Sequence, residues 1–173
     1  MIELELTYLA KSIPKGLENA RSMEIIDIYL PKEERHPTLR IRKLGEKFEI
    51  TKKYPVKEGD ASELHEHTIQ LGAEEFGAFA KIDGKRTRKV RYYYNCNGRT
   101  AEIGVFKDAL EGLVLVDFEF ESAEEKQKFM MPDFCLADVT QEEFLAGGML
   151  CGKGYGDIEK GLAKFSYKKL FLR

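Results

Sequence analysis

The sequence predicts an α+β fold, mainly antiparallel β: an eight-stranded closed or nearly closed barrel, a tunnel, with flanking helices. Three observations predict it. Apolar and polar residues alternate at period two in eight separate runs. Turn residues sit between neighbouring runs, at Gly45, Asp83-Gly84 and Asn97-Gly98. Helical patterns are few and short, so most apolar surface must be covered by sheet closure. A chain of 173 residues fits one domain, taken as residues 1–173.

The strands are expected near 2–8, 23–30, 38–44, 47–54, 63–70, 86–95, 99–106 and 113–121. In Glu3-Leu4-Glu5 the acids share a face, because successive strand side chains point to opposite sides. The hairpin Leu39-Arg40-Ile41-Arg42, Gly45, Glu49-Ile50-Thr51-Lys52-Lys53 puts Arg40 and Arg42 on one face, and Glu49, Thr51 and Lys53 on one face. Lys89-Val90-Arg91 and Asp117-Phe118-Glu119-Phe120-Glu121 repeat the pattern. Four helices complete the reading. Residues 73–81 carry Phe76, Phe79 and Ala80 on one stripe, and Ser122 caps a short helix over 122–129. Thr140 with Glu143 forms a capping box for 141–150, and 157–170 turns Ile158, Leu162, Phe165 and Leu170 toward the core.

Small barrels usually fill their interior with apolar side chains. Here the alternation implies the inverse: charges line the lumen, and Leu4, Leu6, Ile41, Ile50 and Phe120 face outward and need cover. Basic and acidic strands in one lumen suggest a polyanion held together with a divalent cation.

The bulk composition narrows the function classes. Net charge is −2, from 28 basic and 30 acidic residues, which argues against a general nucleic-acid binder. The three cysteines, Cys96, Cys135 and Cys151, show no CxxC and leave an odd count, so neither a disulfide framework nor a zinc signature is expected. That pattern, no apolar run near the ~18 residues of a membrane span and a charged N-terminus imply a cytoplasmic protein without a membrane partner.

Taken in order, Glu3-x-Glu5, Asp27-x-Tyr29, Leu39-Arg40-Ile41-Arg42, Thr51-x-Lys53, Lys89-x-Arg91-Tyr92, Glu102 with Val105-Phe106, Gly112-Leu113, Asp117-x-Glu119-Phe120 and Asp138-Val139-Thr140 resemble the CYTH superfamily, the triphosphate tunnel metalloenzymes. The resemblance covers roughly residues 2–145. It implies an eight-stranded tunnel in which basic side chains grip a triphosphate and acidic ones hold Mg2+ or Mn2+. Family activities include hydrolysis of inorganic triphosphate, thiamine triphosphate or nucleotide triphosphate ends, and adenylate cyclisation. Three positions depart from the family pattern. Thr7 stands where the opening motif has Lys, with Lys11 four residues on; Gly104 replaces the acid two residues after Glu102; and Asp138 replaces Glu.

The resulting expectation is divalent-metal-dependent hydrolysis of an inorganic or small organic triphosphate. The alternatives are a class IV-type adenylate cyclase and a non-catalytic polyphosphate- or nucleotide-binding module. Arg40, Arg42, Lys53, Lys89 and Arg91 are the expected phosphate ligands, arginine because its guanidinium presents a rigid donor fork. Glu3, Glu5, Glu102, Asp117 and Glu119 are the expected metal ligands, since hard cations prefer oxygen. In this picture a metal-positioned water attacks the terminal phosphorus, and Lys53 helps to activate it, its pKa lowered by neighbouring cations. The expected partner is a triphosphate-containing small molecule, with a homodimer as one option.

Other charged or polar features have plainer readings. Lys52 falls on the face opposite Lys53 and is expected in solvent. His65-Glu66-His67 lacks a third metal ligand, and Glu66 is its lumen candidate. Tyr92, Tyr93 and Tyr94 are expected to pack in the wall, most of Lys85-Arg86-Thr87-Arg88-Lys89 to be solvated, and the cysteines to be small buried hydrophobes.

Overall fold

The computed structural model describes residues 1–172. Nine strands form in chain order: β1 (Ile2–Ala10), β2 (Ser22–Leu30), β3 (Leu39–Leu44), β4 (Lys47–Pro55), β5 (Glu63–Leu71), β6 (Lys85–Cys96), β7 (Arg99–Phe106), β8 (Val114–Phe120) and β9 (Cys135–Asp138). The sheet order is β5-β4-β3-β2-β6-β7-β8-β1-β9, every pair antiparallel. Closure comes from β1 pairing with β5, Glu3 opposite Leu64. The first eight strands thus form a closed barrel, and β9 adds to the far end of β1.

The register is that of the expected hairpins. Arg40 lies opposite Thr51 and Arg42 opposite Glu49, with Gly45 at the turn in a left-handed conformation (φ 57°). Asn97 and Gly98 both take positive φ at the β6–β7 turn, as a primed two-residue hairpin requires.

Apolar residues on the outer face of β1, β7 and β8, among them Tyr8, Ile103, Val116, Phe118 and Phe120, form one core cluster, packed beneath Leu17, Phe129 and Phe134. A second cluster lies at one end of the barrel. There Leu9, Phe106 and Leu115 meet Leu145, Leu150, Ile158 and Leu162 from the C-terminal segment. On the β3–β4 side the short helix α1 (Ala73–Phe79) stacks Phe76 on Phe48, ring centroids 4.6 Å apart.

The C-terminal segment departs from the expected helices. Instead of one helix over 141–150 there is a 3-10 turn at Glu143–Leu145, extended backbone at Ala146 and the one-turn helix α3 (Gly147–Leu150). Thr140 does not cap a helix: its hydroxyl donates to Asp138 Oδ1 at 2.6 Å and accepts the Thr7 N–H at 3.0 Å. Gly147 and Gly148 let the segment approach the barrel closely. A Cβ on either would lie 2.1 Å from Tyr29 Oη or the Pro37 carbonyl oxygen, respectively. The helix expected over 157–170 is α4 (Tyr155–Ala163). It ends at Ala163; beyond it Ser166 takes φ 56° and the following chain is drawn to the loop before β8. The Tyr167 hydroxyl donates to Gly112 O and accepts from Val114 N, and Leu170 N donates to Gly112 O. The helix expected over 122–129 is α2 (Ala123–Lys128), capped by Ser122 as anticipated. The strand β9 was not anticipated, since four residues are too few to display a period.

Candidate active site

The inward-facing positions converge on one cavity of about 340 Å3. Its wall contains Glu3, Glu5 and Thr7 from β1, Asp27 and Tyr29 from β2, Arg40 and Arg42 from β3, Lys53 from β4 and Glu66 from β5. It also contains Thr87, Lys89 and Arg91 from β6, and Asp117 and Glu119 from β8. All five expected cations and four of the five expected metal ligands therefore face the same space. The fifth, Glu102, lines an adjoining open cavity of about 600 Å3 that shares Glu119 with the first, and it pairs with Arg91. One end of the main cavity is apolar, formed by Phe106, Leu115, Leu145 and Leu150 of the end cluster.

The cations are held in different ways. Arg42 is buried, and its Nε and Nη2 donate to the two oxygens of Asp27 at 2.7 and 2.8 Å. Burial alone would raise the Asp27 pKa, but the charge and hydrogen bonds of Arg42 overcome it and hold the carboxyl well below the usual range. Arg40 Nε stands 3.9 Å from Asp27, too far for a hydrogen bond, and is buried without an acceptor among the described residues. Arg91 Nε is likewise unpaired. Lys53 Nζ lies 2.5 Å from Glu3 and 2.8 Å from Glu66.

Lys89 has no ion-pair partner among the described residues, and burial followed by repulsion from Arg91 lowers its pKa to about 8. Its aliphatic stem lies over Gly104, where a Cβ would come within 3.2 Å of Lys89 Cδ. The glycine that replaces an expected acid thus makes room for a lysine.

The acids cluster too. One oxygen each from Glu3, Glu5 and Glu119 lies within 4.8 Å of the other two, a spacing suited to a shared hard cation. Burial, then the charge of Asp117, raises the Glu5 pKa to about 8, and burial with Glu102 and Glu3 raises that of Glu119. Such crowding disfavours full ionisation and is relieved by a bound cation. Asp117 accepts a 2.8 Å hydrogen bond from the Thr7 hydroxyl, so Thr7 serves as an acid's hydrogen-bond donor at the position expected to carry a lysine. Lys11 is exposed and lies outside the cavity wall.

One expectation is corrected. The Lys53 pKa is raised, not lowered: burial opposes its charge, but Glu5 and Glu3 outweigh both burial and the repulsion of Arg40. The neighbours that decide its charge state are carboxylates, which strand alternation alone does not reveal.

The plainer readings agree with the structure at most positions. Lys52 is exposed, and Glu66 faces the lumen while His65 and His67 stack beside Tyr54 outside it. Tyr92 and Tyr94 pack on the outer core, and Cys135 and Cys151 are buried. Within the basic run, Arg88 pairs with Glu24 and Asp108, while Thr87 and Lys89 turn inward. Tyr29, quoted within a motif but given no role, also lines the cavity. An inward tyrosine near basic strands is the signal that would have found it.

The chain matches no protein-family profile. It is 29% identical over 145 residues to an inorganic triphosphatase of Nitrosomonas europaea, covering 83% of this chain and 92% of that protein. Among solved structures it resembles the inorganic triphosphatase NE1496, with TM-score 0.63 and 25% identity over 87% of this chain and 95% of the other. It shares its fold with the PH1012 protein of Pyrococcus horikoshii OT3, with TM-score 0.51 and 21% identity over 73% and 84% of the two chains.

Proposed function

We infer that this chain is a CYTH-like triphosphate tunnel enzyme that hydrolyses inorganic triphosphate or a small organic triphosphate. One observation carries the reading: five cations and three mutually close carboxylates face a single cavity of about 340 Å3. A linear triphosphate is a compact polyanion, and binding it out of bulk water requires several fixed cations. Among the described residues Arg40 and Arg91 each keep a buried Nε–H without an acceptor, Arg42 is fixed by Asp27, and Lys89 has no ion-pair partner. These groups grip phosphate oxygens through charge-assisted hydrogen bonds. Lys53, clamped by Glu3 and Glu66, adds a cation beside the carboxylates and acts in binding.

Glu3, Glu5 and Glu119 would hold Mg2+ or Mn2+, with Asp117 beside them. All the donors are oxygen, and the crowded acids need a compensating charge. Bound there, a divalent cation supplies charge neutralisation to phosphate oxygens and polarises the anhydride. The protein's part is to orient the substrate in line, fix its charges and limit water around it.

The deciding experiment offers purified protein triphosphate, thiamine triphosphate and ATP with Mg2+ or Mn2+. Phosphate, pyrophosphate and cyclic AMP are measured. Phosphate release from triphosphate is expected. Survival of all three substrates with both metals would refute hydrolysis, and cyclic AMP from ATP would assign a cyclase.

A further inference from the structure

We propose that Thr7 is a positioning residue: its hydroxyl fixes the Asp117 carboxylate and so sets how tightly the neighbouring acids hold a divalent cation. The turn at Asp138-Val139-Thr140 keeps Thr7 in place. The proposal rests on the metal-binding part of the reading above, and adds to it a control that lies outside the acids themselves.

Thr7 lies on β1 directly opposite Asp117 on β8. Its hydroxyl has a single proton to give. Asp117 Oδ1 takes it at 2.8 Å, while Glu5 Oε1 stands farther off at 3.4 Å. Among the described residues Thr7 is the one donor to the Asp117 carboxylate. That carboxylate is buried, and it stands close enough to Glu5 for its charge to raise the Glu5 pKa. Without the Thr7 hydroxyl it would be free to turn, and would lose a bond that favours its ionised form. A lysine at position 7 would bring a charge into the cavity. Threonine brings only a direction, and leaves the negative charge of Asp117 for a bound cation to offset.

Thr7 is itself clamped through its backbone. Its N–H donates to Thr140 Oγ1 at 3.0 Å, and its carbonyl accepts from Val139 N at 2.8 Å. Thr140 is oriented in turn by Asp138 Oδ1, which accepts its N–H at 2.9 Å and its hydroxyl at 2.6 Å. With that proton spent, the lone pairs of Thr140 Oγ1 are left for Thr7. An aspartate two residues before its acceptor groups has the right reach for such a turn. On a backbone held this way a β-branched side chain is stiff about χ1, so the Thr7 hydroxyl has a fixed aim. The contacts thus run from an exposed acid on β9, through Thr140 and Thr7, to a buried acid in the cavity.

The test uses the intact protein without triphosphate, and follows Mn2+ binding by electron paramagnetic resonance near neutral pH. Thr7→Val keeps the shape and removes the donor, and it should weaken Mn2+ binding about tenfold in a protein whose thermal midpoint shows it folded. Thr7→Ser, which keeps the hydroxyl, should bind like wild type. Asp138→Ala should weaken binding in the same direction, whereas Asp138→Asn, which keeps the acceptor oxygen, should not. In an Asp117→Ala background Thr7→Val should change nothing further, because Thr7 acts through Asp117. Unchanged Mn2+ affinity in folded Thr7→Val, or the same loss repeated on top of Asp117→Ala, overturns the proposal and leaves the metal site and the triphosphatase reading intact. A wild-type protein that binds no Mn2+ overturns the metal site and the proposal together.

Discussion

Asp27 on β2 and Arg42 on β3 are cross-strand partners whose side chains close a buried two-bond fork, 2.7 and 2.8 Å long. Breaking one half leaves the other charge buried and alone, which costs about 3–5 kcal/mol. Asp27→Ala should lower unfolding free energy by about that much, read from urea midpoints at constant m. The pair also sets an acid limit. The folded pKa of Asp27 is depressed, so its contribution is fully present above the unfolded value of about 3.9 and fades as pH falls below it. The stability gap between wild type and Asp27→Asn should therefore shrink below about pH 4.

Lys89 should make triphosphate binding take up a proton. Its pKa of about 8 leaves a neutral fraction at slightly alkaline pH, and a bound polyanion favours the charged form. Calorimetric binding enthalpies at about pH 8.5 should differ between Tris and HEPES, and converge at about pH 6.5, where the lysine is already charged. Lys89→Arg should reduce the buffer dependence at the higher pH, because arginine stays protonated, with Glu5 left as the other group titrating there.

Glu119→Gln preserves shape and removes one of three neighbouring carboxylate charges. Mn2+ affinity, followed by electron paramagnetic resonance, should fall about tenfold or more. Phosphate release should fall with it, and added EDTA should abolish release by wild type. Unaltered Mn2+ binding would remove Glu119 from the metal set.

Leu162 is fully buried in the cluster that closes one end of the barrel. Leu162→Ala should cost about 2–5 kcal/mol in unfolding free energy. A cost below about 1 kcal/mol would mean that α4 is not packed there as described.

The barrel was legible because strand alternation exposes a two-faced pattern in every strand from β1 to β8. Residues such as Arg40, Lys89 and Glu119 fell into place from period and motif order alone. The C-terminal segment was less legible. The expected helix breaks at Ala146, where the chain turns so that Gly147 and Gly148 pack against Tyr29 and Pro37, far away in sequence. Ser166 leaves a helical pattern because Tyr167 finds partners at Gly112 and Val114. The electrostatics of Lys53 were misjudged for the same reason. Alternation says which side chains face inward, while distances across the lumen decide which acid meets which base.

Most of the first strand has partners only late in synthesis. Residues 2–4 of β1 pair with 63–65, but residues 4–10 pair with 115–120 and 135–138, so that longer part stays unpaired until most of the polypeptide has left the ribosome. Such long-range pairing makes for slow folding, and the hairpins of β3 to β5 can form well before the ring closes. Fragments lacking β8 should accumulate as open, sticky sheets, which makes chaperone demand and inclusion-body formation sensitive to substitutions at the very start of the chain.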